Sequence, residues 1–335
     1  MKATAPNADR LDALANRLQA EGRTADLEVE LVRFDPKTLQ GAEKESWYHL
    51  RGIAAFQRND RPLAFGRFQE GVEACPDSAK LVFSLAQEHE ARGEIDAMFE
   101  GFDRVKFPKV FAHYALAAAR YAYLWDRPDK GRAYVEPFFP IYFQLKILDT
   151  TFLHLRGLPF FEQVWAYLAA FSVLEDEFGV LGEIAERAAK ECSDFDAAGV
   201  RRELAALRTG DYAETKAHLH EQIEEHKRKG LPTGYWAMRL AILTAQESDD
   251  PVAGSAILDR VALGPNDFKW LTDLRVLAKG DLARRAGDAV LEFHYQQECF
   301  KKQPLLFEPD HAVNFHLLDV QESWKETYRA SHRRT

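Results

Sequence analysis

The sequence predicts an all-α protein built as an α-α superhelix of repeated helical hairpins. Three observations indicate this fold class: apolar residues recur at helical spacing along the chain, the breaks between helices share one chemical form, and those breaks recur at separations of 32–39 residues apart from one gap of 85 residues between Asp126 and Asp211. A period of this length, holding two helices, is typical of an α-solenoid in which each hairpin packs against its neighbours.

Helical periodicity begins in the first segment. Leu11, Leu14, Ala15 and Leu18 fall at i, i+3, i+4 and i+7, which places them on one face of an amphipathic helix. Strand signals are weak, since the segment LEVELVRF at residues 27–34 alternates only a little and follows a helix directly. We therefore expect an almost entirely helical chain.

The breaks between helices combine a residue that tolerates left-handed backbone with an acidic residue. Glycine and asparagine adopt positive φ easily, and an acidic side chain at a helix start accepts hydrogen bonds from free N–H groups. Asp-Arg-Pro occurs at Asp60 and again at Asp126, and we interpret both copies as helix starts because proline is tolerated in a first helical turn. Breaks are predicted at Gly22, Asn59–Pro62, Gly93–Asp96, Trp125–Pro128, Gly210–Tyr212, Asp249–Pro251 and Gly287–Asp288.

Residues 45–78 resemble a tetratricopeptide repeat. Tyr48 and Ala55 fall at the aromatic and small positions of its first helix, and Gly52 stands where the two helices approach closely. Arg51 departs from the leucine that is usual there. Ala64, Phe68 and Gly71 match positions of its second helix, and Pro76 matches the proline that closes the repeat.

The same register extends over about four-fifths of the chain. Gly280 and Pro304 are 24 residues apart, as are Gly52 and Pro76. The resemblance implies a right-handed superhelix with tetratricopeptide-like repeats at 1–144, an irregular hydrophobic connector at 145–161, further repeats at 162–306, and a capping helix with a basic tail at 307–335.

A stretch rich in large apolar residues, 133–158, does not fit the register. It either joins two superhelical halves or forms a surface for a partner or for a second copy of the chain, because an exposed apolar area of this size marks an interaction site. Both readings remain open at the level of the sequence.

Composition excludes several classes of protein. The net charge of −9 disfavours a nucleic-acid binder, which needs clustered lysine and arginine. The three cysteines are far apart and fit neither a disulfide framework nor a metal motif. We find no secretory signal and no apolar run long enough to span a membrane, so we expect a cytoplasmic protein without membrane or nucleic-acid partners.

Candidate catalytic clusters are absent from the sequence. His218 and His220 point about 200° apart on a helix and cannot chelate one ion together, so we interpret them, with His226, as part of a solvated charged face. His311 and His316 lack an activated nucleophile nearby. With no phosphate-binding glycine loop either, we predict no enzymatic activity, no cofactor and no metal.

The resemblance implies a groove lined by first helices, which in the family binds extended peptides or a partner helix. Aromatic and arginine side chains there are candidates for the strongest contacts. Each candidate has the alternative of packing between repeats instead of facing the groove. The candidates are His49, Phe56, Gln57, Phe83, Gln87, Tyr123, Arg208, Trp236, Arg239 and Arg284.

Three functions follow from these features. The first is a non-enzymatic scaffold whose groove holds a protein or peptide partner of unknown identity. The second is a ligand-gated regulator whose superhelix changes shape when a peptide binds. The third is an all-α enzyme with a central cavity near His154 and Arg156, although no catalytic set converges there.

Overall fold

The computed structural model describes residues 8–105, 112–138, 205–248, 250–267, 271–302 and 317–332, together with residues 171, 182, 183, 186 and 202. All regular structure in these residues is helical, and they contain no strand. The predicted all-α class is therefore confirmed for this part of the chain, whereas the right-handed superhelix stays a prediction. The predicted connector at 145–161 and the predicted boundary at 306 lie outside the described residues.

The chain divides into two compact units, the first of residues 1–114 with residues 330–335 and the second of residues 115–329. The first unit contains α1 (Ala8–Ala20), α2 (Leu27–Leu31), α3 (Gly41–Gln57), α4 (Arg61–Ala74), α5 (Ala79–Ala91), α6 (Ile95–Arg104) and the start of α7 (Ala112–Leu124). Residues 27–31 of the weakly alternating segment are thus helical, as predicted, and the remaining three form a turn.

The second unit holds the rest of α7 and the later helices. Helices adjacent in sequence pack against each other in both units, for example α3 on α4 and α5 on α6. The later helices are α8 (Pro128–Val135), α9 (Ala213–Lys229), α10 (Gly234–Gln246), α11 (Pro251–Asp259), α12 (Leu271–Arg285), α13 (Ala289–Lys302) and α14 (Leu318–His332).

The predicted breaks coincide with left-handed backbone. Gly22, Asn59, Gly93, Gly210 and Gly287 have φ between 60° and 73°. Such values favour glycine and asparagine because a Cβ crowds the following carbonyl oxygen in this conformation. The turn chemistry read from the sequence is therefore confirmed at these positions.

Acidic capping is confirmed at several predicted helix starts but not at Glu94. Asp60, Asp211, Asp250 and Asp288 accept backbone N–H groups of the first turns that follow them, at 2.9–3.1 Å. Glu94 caps no N–H group; its Oε2 atom lies 2.7 Å from Nδ1 of His89 instead. The longer glutamate side chain is not among the residues that favour this capping position.

The two Asp-Arg-Pro copies begin helices in different registers. In the first copy Asn59 takes the left-handed turn, Asp60 is the N-cap, and α4 begins at the next residue. In the second copy Asp126 itself takes the turn, with φ of 55°, and α8 begins at Pro128. Because a bulky Trp125 precedes it, the left-handed position falls on the aspartate, which tolerates it better. The predicted capping role of Asp126 is therefore wrong.

The predicted close approach at Gly52 is confirmed. A Cβ atom at this position would lie 2.2 Å from the ring of Phe68, which is buried on α4 of the same hairpin. Gly280, at the corresponding place in the later repeat, also lies under an aromatic ring, because a Cβ there would be 2.4 Å from Trp324. That ring belongs to α14, not to the second helix of the same hairpin.

Candidate functional site

The first helices of successive hairpins form a continuous layer in the first unit. α1 contacts α3, and α3 contacts α5. Helical spacing places Glu45, His49, Ile53 and Phe56 along one stripe of α3. We call this stripe, with its neighbours on the other first helices, the first-helix surface; the neighbours are Asp12, Lys80, Phe83, Gln87, Glu90 and Tyr114.

One end of the first-helix surface is charged and is built from four helices. The Nζ atom of Lys80 lies 3.5 Å from Oδ1 of Asp12, and both side chains are partly exposed. Tyr114 lies near two carboxylates, and burial, followed by the negative charges of Glu45 and Asp12, raises the pKa of its hydroxyl to about 12. The phenol therefore stays protonated and can donate a hydrogen bond.

His49 is a neutral, largely buried imidazole next to this charged end. Burial, helped by the positive charge of Lys80, lowers the pKa of His49 to about 3. Its Nδ1 atom is buried without a hydrogen-bond partner, and its ring centroid lies 6.0 Å from that of Phe68. His49 therefore contributes polarity to the surface without charge at neutral pH.

Phe83 packs inside the first unit. Its side chain is 6% exposed, and its ring centroid lies 4.6 Å from that of Phe102 and 4.9 Å from that of Tyr114. Of the two readings that the sequence allowed for this residue, the structure shows packing, so Phe83 supports the surface from beneath.

The other end of the first-helix surface carries an exposed aromatic ring. Phe56 is 47% exposed, and Gln57 and Gln87 are exposed near the ends of their helices. Arg61 places its guanidinium 5.2 Å from the centroid of Phe56 and forms two hydrogen bonds, of 3.2 and 2.9 Å, to the buried carboxylate of Glu88. The arginine of the first Asp-Arg-Pro thus links two hairpins and packs against the ring of Phe56.

Two groove candidates of the second unit are buried as well. Tyr123 is 1% exposed, and its hydroxyl donates a hydrogen bond of 3.0 Å to Gln321 on α14. Arg239 is 8% exposed and lies between the rings of Tyr235 and Trp236, at 5.6 and 5.9 Å from their centroids. Neither side chain offers free groove surface.

The remaining candidates of the second unit lie at its surface. Trp236 is half-buried and donates its Nε1 hydrogen to Nε2 of His226 at 3.1 Å, while Nδ1 of His226 lies 2.9 Å from the carbonyl oxygen of Pro232. His226 is therefore half-buried and contacts both Trp236 and Pro232, which the sequence-based interpretation did not include. Arg208 and Arg284 are exposed, and Nη1 of Arg284 donates to the carbonyl oxygen of Asp319.

Within the described ranges, no group of three or more His, Cys, Asp or Glu side chains is arranged to hold a metal ion. None of the described helices has the length and apolarity that a membrane crossing requires. His154 and Arg156, which would line the cavity of the enzyme hypothesis, lie outside the described residues.

Two contacts that build the first-helix surface were not predicted. The pair of Arg61 with Glu88 and the pair of Lys80 with Asp12 join residues 27 and 68 positions apart. The repeat register could have indicated the first pair, since it joins one hairpin to the next; no signal in the sequence indicates the second. Comparison with family models, with curated proteins and with solved structures finds no match to this chain.

Proposed function

We propose that this chain is a non-enzymatic scaffold of the tetratricopeptide-like type, and that its first-helix surface binds an extended segment of a partner protein. The observation that carries the proposal is the exposed ring of Phe56 on the same helical stripe as the half-buried polar group of Glu45 and His49. An aromatic contact with polar groups beside it is the usual composition of a strong protein contact.

The charges of the surface favour one kind of ligand. Its charged end carries the carboxylates of Asp12 and Glu45 against the single cation of Lys80. Complementary potentials steer association and suppress wrong partners. The partner segment therefore presents an apolar side chain to Phe56 and a basic side chain toward the carboxylates, while Gln57 offers its amide to the partner backbone.

Preformed geometry keeps the cost of binding low. Phe56 is positioned by Arg61, which is fixed in turn by the buried Glu88. A side chain that is already ordered loses little conformational freedom on association, so more of the contact energy contributes to affinity.

The test begins with affinity purification of the intact chain from its native organism, followed by mass spectrometry to identify the partner. The purified partner is then titrated against Phe56→Ala and Gln87→Ala variants. We expect Phe56→Ala to weaken binding about tenfold or more, since truncation of a dominant aromatic contact costs ~1–2 kcal/mol or above. Val29→Ala is the matched control, because Val29 is an exposed apolar residue of the same unit outside the first-helix surface. Equal affinities for the Phe56 and Val29 variants would exclude this surface as the binding site.

A further inference from the structure

His226 joins the end of α9 to the start of α10 through both nitrogen atoms of its ring. Its Nδ1 atom lies 2.9 Å from the carbonyl oxygen of Pro232, in the turn between the two helices, and its Nε2 atom lies 3.1 Å from Nε1 of Trp236. The imidazole and indole rings meet edge to face, with their centroids 5.7 Å apart. Both side chains are half-buried, so water competes only in part for these contacts.

The chemistry of the two partners determines where the ring of His226 carries hydrogen. A carbonyl oxygen can only accept a hydrogen bond, whereas an indole Nε1 group can only donate one. Nδ1 of His226 must therefore carry a hydrogen and donate it to Pro232, while Nε2 must present a lone pair to Trp236. Among the protonation forms of an imidazole, only the neutral form with its hydrogen on Nδ1 satisfies both contacts.

Protonation of His226 breaks one of these contacts and keeps the other. In an imidazolium ion both ring nitrogens donate, so the hydrogen bond from Nδ1 to Pro232 persists. Nε2 then points a hydrogen at the indole hydrogen of Trp236, and a donor that faces another donor loses its hydrogen bond. The indole therefore turns away from the charged ring, while the turn at Pro232 stays closed.

The charged groups around the two rings belong to α9 and α10. Glu225 precedes His226 on α9 and accepts a hydrogen bond of 2.6 Å from Lys229. On α10, the guanidinium of Arg239 lies 5.9 Å from the ring centroid of Trp236. A positive imidazole is thus favoured by the carboxylate on its own helix and opposed by the cation on the facing helix. The other titratable or charged residues next to the two rings are Glu224, Lys227, Arg228 and Tyr235.

The backbone that carries Trp236 is held independently of its side chain. Asp267, in the loop after α11, accepts the N–H groups of Gly234 and Gly264 at 2.8 and 2.7 Å. A Cβ atom at position 234 would lie 2.4 Å from this carboxylate, so the loop approaches the first residue of α10 closely. Gly230 closes the turn after α9 with a left-handed φ of 66°. The two helices therefore keep their places whether or not the indole contacts the imidazole.

We propose that His226 and Trp236 form a pH-sensitive switch, in which protonation of the imidazole releases the indole to solvent while α9, α10 and their turn stay folded. At neutral and basic pH the indole is bound to His226 and half-buried. In acid the second unit presents an exposed aromatic ring beside the guanidinium of Arg239. The inference goes beyond the proposed function, because it concerns a change of state in the second unit and not the binding of a partner segment by the first.

The test follows the indole hydrogen of Trp236 by nuclear magnetic resonance in the full-length chain, with its tryptophans labelled with nitrogen-15. Trp236→Phe or Trp236→Tyr identifies the resonance by its loss and keeps an aromatic ring in place. Between about pH 8 and pH 5, the range in which histidines change charge, we expect the resonance to shift and its exchange with water to accelerate at least about tenfold relative to that of Trp47. Trp47 is the internal reference, because its indole donates to the carbonyl oxygen of Leu31, which does not titrate.

Two variants distinguish His226 from the other histidines of α9. His226→Gln keeps a polar side chain that does not titrate and is expected to abolish the change, whereas His220→Gln removes an exposed histidine of the same helix and is expected to preserve it. Helical circular dichroism is expected to stay constant over the same pH range. The proposal is overturned if the Trp236 resonance does not respond to pH, or if it responds equally in His226→Gln. It also fails if the helical signal is lost in parallel, because acid then unfolds the helices instead of releasing one side chain.

Discussion

Gly52 and Gly280 occupy corresponding places in two predicted repeats, yet different parts of the chain cover them. The ring over Gly52 is Phe68, which lies 16 residues later on the second helix of the same hairpin. The ring over Gly280 is Trp324, which arrives from the C-terminal helix. The first contact is a property of one repeat, whereas the second depends on the far end of the chain. Similar local packing can therefore be built from either near or distant sequence.

The largest expected effect comes from removing each ring, which tests whether the ring stabilises its own unit. Phe68→Ala and Trp324→Ala each delete a buried aromatic side chain and are expected to lower the free energy of unfolding by about 3–5 kcal/mol. Hydrogen exchange locates the loss: Phe68→Ala lowers protection in α3 and α4, and Trp324→Ala lowers it in α12 and α14. A loss of protection in α3 from Trp324→Ala would contradict the assignment of each ring to its own unit.

The region around Trp324 is expected to make stability depend on pH, because it contains the buried ammonium group of Lys325. Burial lowers the pKa of Lys325 from 10.5 to about 8, against the opposing charge of Glu322. Between these two values the unfolded chain binds the proton and the folded chain does not, so the free energy of unfolding rises with pH across this window, by up to about 3 kcal/mol. Below about pH 8 Lys325 is charged in both the folded and the unfolded chain, so its contribution to the free energy of unfolding is constant.

Urea unfolding at a series of pH values measures this effect. Lys325→Met removes the titrating group and is expected to flatten the rise between pH 8 and 10.5 relative to the wild-type chain. A rise of the same size in both proteins would show that other groups cause it.

A smaller change tests whether the close approach at Gly52 is required. Gly52→Ala places a Cβ 2.2 Å from the ring of Phe68 and is expected to cost about 1–3 kcal/mol through overpacking. Gly66→Ala, on α4, meets open space and is expected to stabilise the chain by about 0.5–1 kcal/mol, because alanine is the better helix former. Thermal unfolding compares the two variants, and the same sign for both would refute the packing argument.

The smallest expected effect separates the two Asp-Arg-Pro copies. Asp60→Ala removes an N-cap hydrogen bond and is expected to destabilise the chain by about 1 kcal/mol. Asp126→Gly relieves a positive φ and is expected to stabilise it by up to about 1 kcal/mol. Opposite shifts in melting temperature are the predicted result, whereas a loss in both variants would restore a capping role for Asp126.

Local chemistry explains which features the sequence could predict. The positive φ values of Gly22 and Gly93 follow from the residue type itself. The packing of Phe68 on Gly52 follows from the repeat pattern, because both residues belong to the same hairpin. The one-residue difference between the Asp-Arg-Pro copies could not be predicted, because it depends on which neighbour can take the left-handed turn.

The candidate site was predictable only in part. Phe56 is exposed, whereas Phe83 and Tyr123 are buried by residues that the register does not position. Phe83 is covered by Phe102 and Tyr114, and Tyr123 is covered by α14. Burial at such positions depends on contacts between distant segments, and a repeat pattern read from one sequence carries no information about them.

The docking of α14 also has a consequence for the order of events during synthesis. The carbonyl groups of Tyr123 and Leu124 leave the ribosome long before the cations that bind them, since Lys325 follows Tyr123 by 202 residues. At roughly 5–20 residues per second, the end of α7 waits about 10–40 s for its partner. The second unit can therefore be completed only after α14 has been synthesised, and a chaperone that shields the end of α7 during this interval would act on an incomplete form of that unit.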